Sequence, residues 1–170
     1  MLTCVLLVFC SFLEPELETR SLLGNRIELK IPKHFVVMSD EMLQAKYPAV
    51  NRPTLVYTNE SGGINVALNL TVSKADQDMI PQYKDFFVST FKSTYPTAVW
   101  KNEGVVEING RKTGFLELIT PALDTEIYNL IFFTDLDGKL LLCSFNCTIE
   151  QLDTWAPLAK EIMNSLKISE

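Results

Sequence analysis

Histidine is nearly missing from this chain: His34 is the only one among 170 residues. That scarcity excludes most zinc centres and most nucleophile–histidine arrangements, because both draw on imidazole as ligand or base. Cationic side chains are also few. Lys and Arg number 15 against 21 Asp and Glu, a formal charge of −6. Binding a polyanion needs clustered Lys and Arg, so neither a nucleic acid nor an anionic membrane is expected as a main partner. Only seven glycines occur, and none falls in a phosphate-cradling pattern. Gly62-Gly63 precedes a strand rather than a helix, so it reads as a hairpin turn. No repeat and no Pro/Gly/Ser-rich linker divides residues 20–170. A single domain is therefore expected over residues 21–170, preceded by a separate segment, residues 1–20, that is apolar and then acidic.

Long apolar runs are scarce too. Met1–Phe12 is the strongest, and it is far shorter than the ~20 residues that cross a bilayer. No transmembrane helix is expected. The run lacks a basic flank and a small-residue cleavage site. It reads as a truncated or divergent export signal, or as a short apolar tail. The four cysteines fall at Cys4, Cys10, Cys143 and Cys147. The last two lie four residues apart in a strand-like stretch, ~13 Å at ~3.3 Å per residue, too far for a disulfide between them. They read as small buried hydrophobes. Two unpaired thiols favour a cytoplasmic location, with export as the alternative if Met1–Phe12 is a signal.

What is present is strong patterning. Residues 26–32 alternate Ile27, Leu29 and Ile31 against Glu28 and Lys30, a half-buried strand stopped by Pro32. Ser39 caps a short helix over 40–47, which Pro48 ends. Strands follow at 54–58 and 64–72, the second with Ile64, Val66, Leu68, Leu70 and Val72 on one face. A helix over 80–95 carries the stripe Ile80, Tyr83, Phe87, Phe91 and Tyr95, read as core. Four strands come next: 99–108, 111–120, 125–134 and 139–147. Asn109-Gly110 suits a type I′ hairpin. The last two strands are apolar on both faces, as a central strand with layers above and below must be. A C-terminal helix buries Leu152, Trp155, Leu158, Ile162, Met163 and Leu166, with a capping box at Thr148-x-x-Gln151. Pro157 requires either a kink or a short turn before a helix starting near Thr154. These elements give an α+β fold, a three-layer α/β/α sandwich around a central, twisted, mainly antiparallel sheet.

The element order and several stretches resemble the PsbP-like fold, and more specifically a bacterial group of small single-domain proteins within it. The stretches are NRIELKIP (Asn25–Pro32), NRPTLVYTNE (Asn51–Glu60), EINGRKTGFLELITPALDTEIYNLIFFT (Glu107–Thr134), and DGKLLLCSFNCT through WAPLAKEIMNSLK (Asp137–Lys167). The resemblance spans roughly residues 21–168. It implies a non-catalytic binding or accessory module with no cofactor. It transfers no functional residue, because the metal-ligand positions known elsewhere in the fold do not match this sequence.

Candidate sites are correspondingly sparse. His34 follows a strand end with no nucleophile marked beside it. Glu117 sits among apolar neighbours, and Asp124 and Glu126 begin the next strand. If Glu117 and Glu126 shared a face, each would raise the other's pKa. With Asp124 they would suit acid–base chemistry or an oxygen-ligated divalent cation. Asp135-x-Asp137-Gly138 has half of a calcium loop, and a hairpin turn explains it. Arg52, Tyr57, Tyr128 and Asn129 lie near strand ends and are expected, with the three carboxylates, to line a partner or ligand surface. Asn59, Asn69 and Asn146 match glycosylation acceptor patterns. The expected function is a non-enzymatic module, monomer or homodimer, that binds a protein or a small ligand. The alternatives are a carboxylate- or metal-dependent enzyme at Glu117, Asp124 and Glu126, and an exported envelope accessory protein.

Overall fold

A computed structural model describes residues 15–48 and 52–169; Met1–Phe12, and with it the question of an export signal, lies outside them. The elements run β1 (Leu17–Leu22), β2 (Ile27–Pro32), β3 (Val36–Val37), α1 (Asp40–Lys46), β4 (Leu55–Thr58) and β5 (Asn65–Lys74). Then come α2 (Ile80–Thr94), β6 (Val99–Ile108), β7 (Arg111–Pro121), β8 (Glu126–Leu136) and β9 (Lys139–Thr148). A 3-10 turn (Ile149–Gln151) leads into α3 (Leu152–Asn164), and β10 (Lys167–Ile168) ends the described chain.

Seven strands form one sheet in the order β3-β4-β5-β9-β8-β7-β6, and β1-β2-β10 form a second, smaller one. Every pairing is antiparallel. The chain is thus α+β, but its strands do not form one sheet. β2, whose alternation is as clean as expected, pairs with β1 instead of joining the central sheet. β1 begins at Leu17, inside the segment set apart as residues 1–20. LETRSL has no period-two alternation, which left the strand illegible.

Strand parity sorts the central sheet's side chains into two clusters. Phe115, Tyr128, Leu130, Phe132, Leu141, Cys143 and Phe145 join β2 and the α3 stripe in the larger one. Leu116, Leu118, Phe133 and Leu140 face the opposite way, toward α2. α1 lies on that second side as well, where Met42, Leu43 and Tyr47 cover Val56 and Ala67.

Two helix expectations need correction. Thr148 makes no side-chain cap hydrogen bond, so the capping box is absent. Instead the 3-10 turn opens α3, and Pro157 sits within the helix on its exposed side, where water can reach the carbonyl it leaves unpaired. In α2 only Ile80 is buried; Tyr83, Phe87 and Phe91 are half-buried and Tyr95 is exposed. The stripe is therefore only partly core. α2 packs over β6, β7 and β8 at one side of the sheet, which leaves its flank beside the sheet centre uncovered. β5 also frays from its pattern. Its pairing with β9 shifts between Leu70 and Lys74, and Val72 is 95% exposed.

Candidate functional site

α1 and α2 cover the same sheet face without meeting. Between them runs a trough whose middle is apolar, with Phe87 and Phe91 facing Ala67, Ile131 and Leu142. At the end where both helices terminate it widens into an open cavity of ≈ 640 Å³. Lys46, Tyr47, Gly62, Gly63, Tyr95, Thr120, Ile127, Asn129, Asn146 and Thr148 border it.

The cavity floor follows from register. Asn65 of β5 lies opposite Asn146 of β9, and Asn146 lies opposite Asn129 of β8. Three asparagines therefore stand in a row across three strands on one face. The Asn65 amide nitrogen donates to the Gly62 carbonyl (3.2 Å) and to Asn146 Oδ1 (2.9 Å). The Asn129 amide nitrogen donates to Thr120 Oγ1 (3.0 Å) and to the Ile127 carbonyl (2.9 Å). Backbone carbonyls can only accept, so these contacts fix which way each amide points. Asn65 Oδ1 is fully buried and has no hydrogen-bond partner among the described residues.

The wall is set by the β4–β5 loop. Asn59 closes it, accepting from the Ile64 N–H through Oδ1 while its own backbone pairs with Ile64 and Gly62. The loop is wider than the tight Gly62-Gly63 turn expected. Gly62 has φ +73°, and a Cβ there would meet Met42 Sδ at 2.9 Å. Glycine suits the left-handed backbone there and lets the Met42 side chain of α1 approach closely. That approach docks the Lys46 ammonium on the Gly62 carbonyl. Lys46 is exposed as a whole, yet desolvation of the docked ammonium lowers its pKa from the ordinary value. Burial raises that of Tyr47.

The residues singled out from sequence do not assemble into one site. Asn129 alone borders this cavity. Glu117 and Tyr128 are buried beneath α3, where the Tyr128 hydroxyl donates to Glu117 Oε1 (3.0 Å) and Lys160 Nζ sits 3.1 Å from the same oxygen. Burial and the adjacent carboxylate push the Tyr128 phenol upward. This is a structural ion pair, and it takes both residues off the surface. Glu126 pairs with Pro121, four residues along β7 from Glu117, so the two carboxylates stand ~13 Å apart. Asp124 is exposed in the connecting loop. Among the described residues no three His, Cys, Asp or Glu side chains gather as metal ligands. Tyr57 is buried under the Arg20 guanidinium, 4.8 Å from its ring centre. Arg52 is exposed in a separate hollow beside Asn69 and Thr71.

The remaining reactive groups lie away from this cavity. His34 is exposed, with its ring against Phe35 and Trp155 (centroids 5.1 and 6.4 Å). Cys143 and Cys147 are free and buried on the α3 side, where burial pushes the Cys147 thiol up to about 12. A thiol so placed is not a nucleophile at neutral pH. Sequence reasoning missed Lys46, Asn65 and Asn146 as a site. Their signal was an Asn at one phase of three strands, which only the register brings into line.

No family model matches the chain, and no curated protein matches it either. Solved structures do. A cyanobacterial PsbP (CyanoP) from Synechocystis sp. PCC 6803 superposes with a TM-score of 0.64 at 15% identity, covering 94% of this chain and 96% of that one. LpqN, described as involved in cell envelope biogenesis of Mycobacterium tuberculosis, superposes at 0.57 with 10% identity, covering 85% and 83%. A protein of unknown function from Pseudomonas aeruginosa, described as a putative regulator, superposes at 0.51 with 12% identity, covering 91% and 98%. The fold is PsbP-like, as the sequence resemblance implied. No helix among the described residues is long and apolar enough to cross a membrane.

Proposed function

We propose that the chain is a non-catalytic binding module that takes a small polar molecule into the cavity between the ends of α1 and α2. One observation carries the reading. The cavity presents ordered amide groups, pinned by carbonyls, alongside an ammonium, and among the described residues no carboxylate, imidazole or thiol borders it. Such a lining can orient a ligand through hydrogen bonds. The similar solved structures support an accessory role, since those with described roles are not described as enzymes.

The test is native mass spectrometry after incubation with a low-mass cell extract. The wild-type protein should retain a compound that Thr148→Phe, which places a ring in the cavity, does not. An empty wild-type protein, or equal retention by both, overturns the reading. A second reading rests on the similarity to LpqN and on the apolar Met1–Phe12: an exported accessory protein of the cell envelope. Mass analysis of the mature N-terminus tests it, and an intact Met1 or Leu2 in the soluble fraction would remove it.

A further inference from the structure

The asparagine row specifies more than polarity. Asn146 Oδ1 is taken by Asn65, which leaves the Asn146 amide N–H groups as the free end of that side chain. Both N–H groups of Asn129 are engaged by Thr120 and Ile127, which leaves Asn129 Oδ1 free to accept. Neither free end has a partner among the described residues, and both residues border the cavity. The two stand directly opposite each other on adjacent strands. The floor therefore offers one donor beside one acceptor, in an order that cannot reverse. Reversal would put the Asn129 oxygen against the Ile127 carbonyl, and two acceptors repel.

The electrostatics around this pair are balanced. Lys46 brings one positive charge, while α1 and α2 both direct their C-terminal ends at the cavity, and helix C-termini carry partial negative charge. Among the described residues no acidic side chain borders it. Tyr47 and Tyr95 stand at the two helix ends and border it. Resting on the binding-module reading above, we infer that the cavity recognises a neutral ligand through a cis-amide edge. The ligand's carbonyl accepts from Asn146 Nδ2 and its adjacent N–H donates to Asn129 Oδ1. A saturated lactam and a pyrimidinone nucleobase both carry this edge.

The experiment follows the Asn129 and Asn146 side-chain amide signals by ¹H–¹⁵N NMR in the intact chain. The probes are δ-valerolactam, uracil, N-methyl-δ-valerolactam and 1,3-dimethyluracil. Molecules this small should saturate at roughly 1 mM or above. Each N-methylated form loses one hydrogen bond and strands a buried acceptor, so it should bind about tenfold more weakly. Asn146→Asp keeps the acceptor for Asn65 but replaces the free donor by an acceptor. It should abolish probe binding while the backbone spectrum stays native. If Asn146→Asp fails to fold, the methylated pairs on wild-type protein still decide. Binding by uracil alone marks the nucleobase as the source of the edge, by valerolactam alone the saturated ring, and either supports the inference. Equal affinity of parent and methylated probes, or shifts only at residues away from the cavity, overturns it. No shift with any probe while the wild-type cavity still retains an extract compound overturns the amide edge and leaves the binding module standing.

Discussion

The central sheet is apolar on both faces, yet the two faces are covered to different extents. On the α3 side the helix and the small β1-β2-β10 sheet enclose Phe132, Phe145 and Tyr128 completely. On the other side α1 and α2 stand apart, and the surface between them is a trough that ends in an amide-lined cavity. The asymmetry shows in the polar groups each side keeps. The closed side holds a carboxylate already satisfied by Tyr128 and Lys160. The open side holds amides with free ends. Buried polar groups must be paired within the protein, whereas groups lining an opening can be paired by something that enters it.

Large-to-small substitution should expose this difference most strongly. Phe132→Ala removes a fully buried ring from the closed side and should cost about 3–5 kcal/mol by urea denaturation. Phe91→Ala, on the flank of α2 that lines the trough, should cost about half as much, because water already reaches that ring. Equal losses would mean that the two faces are packed alike.

Gly114 probes the part of the open side that is not open. A Cβ there would meet the Phe133 ring at 2.3 Å, and Phe133 is locked edge-to-face against Phe87 (5.0 Å). Gly114→Ala should therefore destabilise by about 1–3 kcal/mol, the usual penalty for overpacking. A neutral result would show that α2 can lift from the sheet, and that the open character reaches under the helix.

Lys160→Met tests the ion pair that holds a buried carboxylate on the closed side. Glu117 is 7% exposed at its side chain, while Lys160 is 51% exposed. Stranding the carboxylate is costly, but solvent at Lys160 screens the pair, so the loss should be about 1–2 kcal/mol. It should fall further in Glu117→Gln/Lys160→Met, where no charge is left unpaired.

How much of this was readable in advance depended on the range of the interactions involved. Strands β6 to β9 were legible because their hairpins are local. Asn109 and Gly110 both take the positive φ that a type I′ turn demands. Ser39 does cap α1, accepting from Met42 N. β1 was not legible, because its residues lack alternation and its turn places Leu23, Gly24 and Asn25 in the left-handed region, which a leucine does not advertise. The site was least legible of all. Asn65, Asn129 and Asn146 are ordinary strand residues in isolation, and Asn65 and Asn146 lie 81 residues apart in sequence. Meanwhile Glu117, conspicuous among apolar neighbours, proved to be held inside by a lysine from α3.

The smallest effect, and the finest test of the asymmetry, lies at Lys46. Its ammonium is desolvated against Gly62 O, so its folded-state pKa is below 10.5. Between that lowered value and 10.5 the unfolded chain binds more protons than the folded one, and stability rises with pH across the window. Lys46→Met should change stability at neutral pH by under about 0.5 kcal/mol, since Asn65 still donates to the same carbonyl. It should also flatten the alkaline rise in the denaturation midpoint. If the rise persists unchanged in the variant, Lys46 is fully hydrated, and the ammonium is not part of the cavity wall.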